Sequence, residues 1–200
     1  MDILMMRQKL IGRINALMGE SEIELLNSAE KLEKLLLLAT PYLEKDDLGV
    51  SHTKRVLEIA RKRLNIPVET EELAVASIIL HDIGGRTIKD QYEKGPEIAA
   101  VLLKQLDYPK AFIGNVCEII RTHHERLNNP PVAFKILYDA DQLVRFSEEE
   151  FPYYESTGTN WNAVIERMYF SESKVWAMEL LREKRKTKSA SSNSVEKFIS

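Results

Sequence analysis

The chain has 200 residues, 44% hydrophobic and 30% charged, with a net charge of -3 and one cysteine, Cys117. That length suits one domain with a sizeable core. The small negative charge gives no reason to expect a nucleic-acid partner, and a lone cysteine rules out a disulfide framework. The longest apolar run, Leu35 to Ala39, is too short to span a bilayer, so the chain reads as cytoplasmic with no membrane partner.

In chain order, Ile3, Leu4, Leu10, Ile11, Ile14, Leu17 and Met18 recur at helical spacing. Ser21 and Glu24 read as a capping box that opens a second helix, and Pro41 marks its end. This pair of helices predicts an arm over residues 1–45 packed on the core, with a homodimer hairpin as the alternative. Ser51 is the expected N-cap of a helix from His52 to about Leu64. The next helix, from about Thr70, grows steadily more apolar to Leu80 and ends at His81-Asp82, where Gly84 and Gly85 break it. It is the expected central, buried helix.

Arg86 to Lys94 is polar and predicts a loop, with Pro96 in the first turn of a helix over Glu97 to Leu106. Tyr108-Pro109 separates that helix from one carrying Phe112, Ile113, Val116, Ile119 and Ile120 to His123-His124. Cys117 falls among these apolar residues and reads as core rather than nucleophile. After Asn128-Asn129-Pro130-Pro131, Val132 to Phe146 predicts a helix with Asp139 and Asp141 on it. Asn160 caps a helix from Trp161 to about Tyr169, and another follows Ser171. Residues 46–182 form the expected main domain. Residues 183–200, rich in Lys and Ser, form an expected flexible tail. No strand alternation or repeat is present, so the fold class is all-α.

Certain residues in this pattern carry chemistry. His81 and Asp82 sit at the buried end of a core helix, where a charge is costly unless paired or bound to a metal. All four histidines, His52, His81, His123 and His124, fall at or near helix ends, and Asp141 places an acid in an otherwise apolar helix. The order His52, then His81-Asp82, then Asp141 resembles the HD superfamily of metal-dependent phosphohydrolases. The flanking stretches Ser51-His52-Thr53-Lys54-Arg55-Val56, Leu80-His81-Asp82-Ile83-Gly84 and Asp139-Ala140-Asp141-Gln142-Leu143 carry the same resemblance, from about Val50 to Phe146.

The resemblance implies a compact helical bundle around a metal site with His52, His81, Asp82 and Asp141 as ligands. Two imidazoles and two carboxylates suit Mn, Fe, Co, Ni or Zn, with Mg also expected and Ca less so. Asp139 and Asp141 lie about 200° apart around a helix. The resemblance selects Asp141 and leaves Asp139 to a salt bridge or to a supporting place behind the ligands. Arg145, one turn beyond Asp141, and Arg55 are candidate contacts to a substrate phosphate, as are His123 and His124.

Two departures from the family pattern stand out. Gly95 falls where dinuclear members carry a further histidine, although His123-His124 resembles the dinuclear pattern, so one divalent ion per chain is expected. The acids that follow His-Asp in members acting on guanosine tetraphosphate are replaced by Ile83, Gly84, Gly85 and Arg86. The expected activity is hydrolysis of a phosphate ester or anhydride on a nucleotide-like small molecule, with Asp82 orienting or deprotonating the attacking water. The alternative is a catalytically weak module that binds a nucleotide signal. A di-iron oxygenase on the same scaffold ranks last, because it needs the histidine that Gly95 replaces.

Overall fold

The structure is a computed structural model that describes residues 20–44 and 49–196. The amphipathic segment from Met1 to Met18 lies outside the described residues, as does most of the loop before Val50. Nine helices follow one another among the described residues, without a strand: α1 (Glu20–Leu43), α2 (Gly49–Arg63), α3 (Val68–Leu80), α4 (Ile88–Gln105), α5 (Lys110–Thr122), α6 (Val132–Val144), α7 (Phe151–Ser156), α8 (Trp161–Arg167) and α9 (Ser171–Glu196). The fold is all-α, as the periodicity implied. No helix among the described residues is long and apolar enough to cross a membrane.

α3 is the axis of the bundle. Its last seven residues, Ala74 to Leu80, are all buried, because α1, α2, α5 and α6 each pack against it. A helix covered on all sides needs no polar face, which is why its sequence is apolar all round. Val75, Ala76, Ile79 and Leu80 join one core layer with Leu35, Ala39, Leu103 and Ile120. Ala74 and Ile78 join a second with Val56, Phe134 and Leu137. A third layer gathers Leu143, Phe146, Trp161, Met168 and Leu181 around the C-terminal helices.

Several boundaries differ from those expected. α4 begins at Ile88, inside the stretch read as a loop, and carries Pro96 in its interior. The reason is a cap: Thr87 Oγ1 accepts from the Asp90 N–H at 3.0 Å and donates to Asp90 Oδ2 at 2.8 Å. The helix is thus nucleated upstream, and Pro96 removes only one interior N–H. α2 opens at Gly49, before Ser51, and α1 runs past Pro41 to Leu43. α9 runs to Glu196, through the Lys- and Ser-rich stretch.

Asp139 has no part in supporting the ligands. It is fully buried, and its two oxygens accept the Tyr169 and Phe170 N–H groups at 2.7 and 2.9 Å. Burial pushes its carboxyl up, against the pull of those two donors. The side chain therefore ties α6 to the entrance of α9. Asp139→Asn keeps the volume but presents an NH2 group to one of the two donors. It should cost about 1–3 kcal/mol, read as a lower urea midpoint; an unchanged midpoint would show that the clamp contributes nothing.

Candidate metal centre

The four residues expected as ligands converge from three helices. His52 enters from the first turn of α2, His81 caps α3 with Asp82 following it, and Asp141 descends from α6. His52 Nε2 lies 3.2 Å from His81 Nε2 and 3.3 Å from Asp141 Oδ1. His81 Nε2 lies 3.3 Å from Asp82 Oδ2. One ligand atom each from His52, His81 and Asp141 falls within a 4.8 Å cluster, and a second such cluster holds Asp82, His123 and His124. Asp82 faces both: Oδ2 turns toward His81, while Oδ1 stands 3.6 Å from His123 Nε2.

The helix ends fix the imidazoles. The last carbonyls of an α-helix have no intrahelical donor. His81 Nδ1–H donates to the Ile78 carbonyl at 2.8 Å, at the end of α3. His123 Nδ1–H donates to the Ile120 carbonyl at 2.7 Å, at the end of α5. A carbonyl only accepts, so Nδ1 carries the proton in both rings, and each Nε2 turns inward as a lone pair. His123 Nε2 is buried without a hydrogen-bond partner.

Imidazole lone pairs gathered about two carboxylates repel one another unless a cation stands among them. Burial works against a charge on His52, yet Asp141 and Glu150 push its pKa up to about 10. Burial likewise opposes a charge on His81, and Asp82 raises it. Burial would raise both carboxyls, but the imidazoles of His81 and His123 hold Asp82 well below the usual carboxylate range, and His52 with Arg145 does the same for Asp141. In the metal-free chain, protons supply the missing positive charge. The donor set, two imidazole nitrogens and two carboxylates, fits a divalent transition ion in their place. Asp82, with 27% of its side chain exposed against 9% or less for the other three, is the one of the four expected ligands that opens to solvent.

The surroundings differ from one another. Burial and the neighbouring His123 push His124 down to about 4, and its Nε2–H donates to Gln91 Oε1 at 2.7 Å. Gly95, one turn further along α4, comes so close to its neighbours that an added Cβ would meet Ile120 Cγ2 at 3.1 Å and the Gly84 nitrogen at 3.6 Å. Gly84 is tighter still, since an added Cβ would strike the Asp90 carbonyl oxygen. α4 thus packs backbone-to-backbone on the turn after Asp82 and offers Gln91, not a residue at 95. Arg145 stands 3.7 Å from Asp141 Oδ2 and 5.0 Å from the Tyr154 ring centroid, with its Nε buried and unpaired. Arg55 is drawn to Glu150, at 2.6 Å through NH2 and 3.2 Å through Nε.

Gln91 and Glu150 are the polar groups here that the sequence did not single out. Gln91 had a signal, since Gln91, Gly95, Ala99 and Leu102 recur at the spacing of one helical face. Glu150 had none, being the last of three consecutive glutamates.

The family model of the HD domain matches residues 49–145. Among solved structures, the crystal structure of a predicted HD superfamily hydrolase from an uncultured Thermotogales bacterium, at 1.45 Å resolution, is similar in fold. It is 22% identical, with a TM-score of 0.55 over 84% of this chain and 90% of that one. No curated protein matches the chain.

The charge on His52 gives a test of its own. An incoming cation must displace a proton that His52 keeps up to about pH 10. Affinity should therefore rise with pH below that value, by up to about tenfold per unit. Zn2+ titrated calorimetrically at pH 7, in buffers of different ionisation heat, should release about one proton or more per ion. Binding without proton release would show that His52 is neutral before the ion arrives.

Proposed function

Its HD domain places this chain in the HD superfamily of metal-dependent hydrolases, and from that premise we propose that it is a phosphohydrolase acting on a nucleotide-like small molecule. The observation that carries the reading is the set of inward Nε2 lone pairs, fixed by helix-end carbonyls, facing two carboxylates of which one is open to solvent. His52, His81, Asp82 and Asp141 would hold one divalent ion, of Mn, Fe, Co, Ni, Zn or Mg. Bound there, such an ion lowers the pKa of water and offsets charge that develops on a phosphoryl oxygen.

The chain's own groups do the rest. Asp82, the most exposed of the four, orients the attacking water and takes its proton. His123 Nε2, unpaired and 3.6 Å from Asp82 Oδ1, accepts that proton from Asp82 and passes it to the leaving oxygen, which returns the lone pair to Nε2. Arg145, whose Nε makes no hydrogen bond, supplies a cation for the substrate phosphate. His124 lines the same wall, with its Nε2 taken up by Gln91. Gly95, which brings no ligand atom toward the second cluster, is what supports one tightly held ion rather than two.

Elemental analysis of the purified chain should find close to one equivalent of metal. Loaded with that metal, it should release phosphate or pyrophosphate from members of a panel of nucleotides and phosphate esters. Asp82→Ala should lower that turnover by at least about 100-fold, the scale of a lost acid–base group. Undiminished turnover in Asp82→Ala overturns the mechanism. Nucleotide binding without turnover by the loaded chain replaces the enzyme with a nucleotide-sensing module.

A further inference from the structure

His52 differs from the other inward imidazoles in a way that demands a partner. His81 and His123 each end a helix and use a carbonyl of that same helix to hold Nδ1–H. His52 lies in the first turn of α2, where the free backbone groups are N–H donors and no carbonyl is left over. Its Nδ1 therefore needs an acceptor from elsewhere. That acceptor is Glu150 Oε1, 3.0 Å away and 98 residues along the chain.

Glu150 is an expensive residue to place there. Its side chain is fully buried, and a buried carboxylate is destabilising unless it is well paired. Arg55 provides the pairing through two N–H groups on the same Oε1. An apolar side chain would fill this turn without such a cost, so the pair's consequence has to be sought at His52. The segment is also anchored with care. The Glu150 N–H donates to Ser147 Oγ at 3.2 Å. Phe146 and Phe151, on either side, both pack on Trp161 with ring centroids 4.7 Å away. Trp161 Nε1–H in turn donates to Glu155 Oε2 at 2.8 Å.

Resting on the metal centre proposed above, we infer that Glu150 is the positioning residue for His52, holding its Nδ1–H so that Nε2 faces the ion, and that Arg55 holds Glu150 rather than substrate. Glu150 lies beyond the segment 49–145 that the HD-domain model matches. The C-terminal layer is thus part of the metal centre and not only a cover for the core. A carboxylate behind a ligating imidazole sets its tautomer and raises its basicity, and losing such a partner typically weakens metal binding about 10–100-fold.

The test uses Zn2+ alone on the full chain, comparing wild type with Glu150→Gln and Glu150→Met. Calorimetry should give a Zn2+ dissociation constant raised about 10–100-fold in Glu150→Met, with a smaller rise in Glu150→Gln, which keeps a neutral acceptor. In the Zn2+-loaded wild type, proton NMR should show a slowly exchanging imidazole N–H assigned to His52 Nδ1. This resonance should vanish in Glu150→Met, which a merely structural role would not cause. If Glu150→Met does not fold, Glu150→Gln decides on the same two readings. Equal Zn2+ affinity and an intact resonance in the folded variants overturn the role of Glu150 alone. A wild type that binds no Zn2+ overturns the metal centre and this inference with it.

Discussion

The hydrogen bonds from His81 and His123 to the ends of their own helices are the interactions on which the site depends. A helix leaves its last carbonyls without donors, and here two imidazoles take up that capacity. The bond settles two things together: the ring's orientation and which nitrogen carries the proton. Both rings then aim a lone pair into the same space. Neither depends on a distant residue, so the geometry follows once α3 and α5 are packed side by side. The packing of α3 follows in turn from its sequence, because a helix apolar all round is stable only where other helices cover it.

This arrangement stores charge where water is scarce. Asp82, Asp141 and Glu150 all lie within reach of His52, and each would be costly there alone. Arg55 answers Glu150, while Arg145 stands near Asp141. Asp82 faces His81 and His123, which hold its carboxyl well below the usual carboxylate range against the pull of burial. A site whose charge balance depends on displaceable protons is one in which a divalent ion finds both ligands and countercharge in place. The same logic explains the exposure pattern. The groups that hold position are closed off, and the carboxylate that meets both clusters is the one open to solvent.

How much of this the sequence shows depends on how local the cause is. The apolar run into His81-Asp82 and the acid in α6 announce themselves because burial of a polar residue within one helix is visible as a break in composition. The start of α4 is hard to see in the sequence because Pro96 is a strong local signal, while the Thr87 cap that overrides it is a weak one. The helix phase that turns Asp139 away from Asp141 is legible in the sequence, but its partners, the backbone N–H groups of Tyr169 and Phe170 some thirty residues on, are not. Glu150 was invisible for a different reason. Its significance lies wholly in a contact across 98 residues, and nothing in three adjacent glutamates says which one turns inward.

The position of α4 shows how packing rather than ligand chemistry limits this site. Its backbone rests on the turn after Asp82, with Gly84 and Gly95 at the closest approach. Any side chain at residue 84 would strike the Asp90 carbonyl, and one at 95 would press on Ile120. A ligand brought in at 95 would therefore need the Ile120 side chain to give way. The second cluster brings Asp82, His123 and His124 together, with His123 Nε2 unpaired and 3.6 Å from Asp82 Oδ1, close enough for a proton to pass between them.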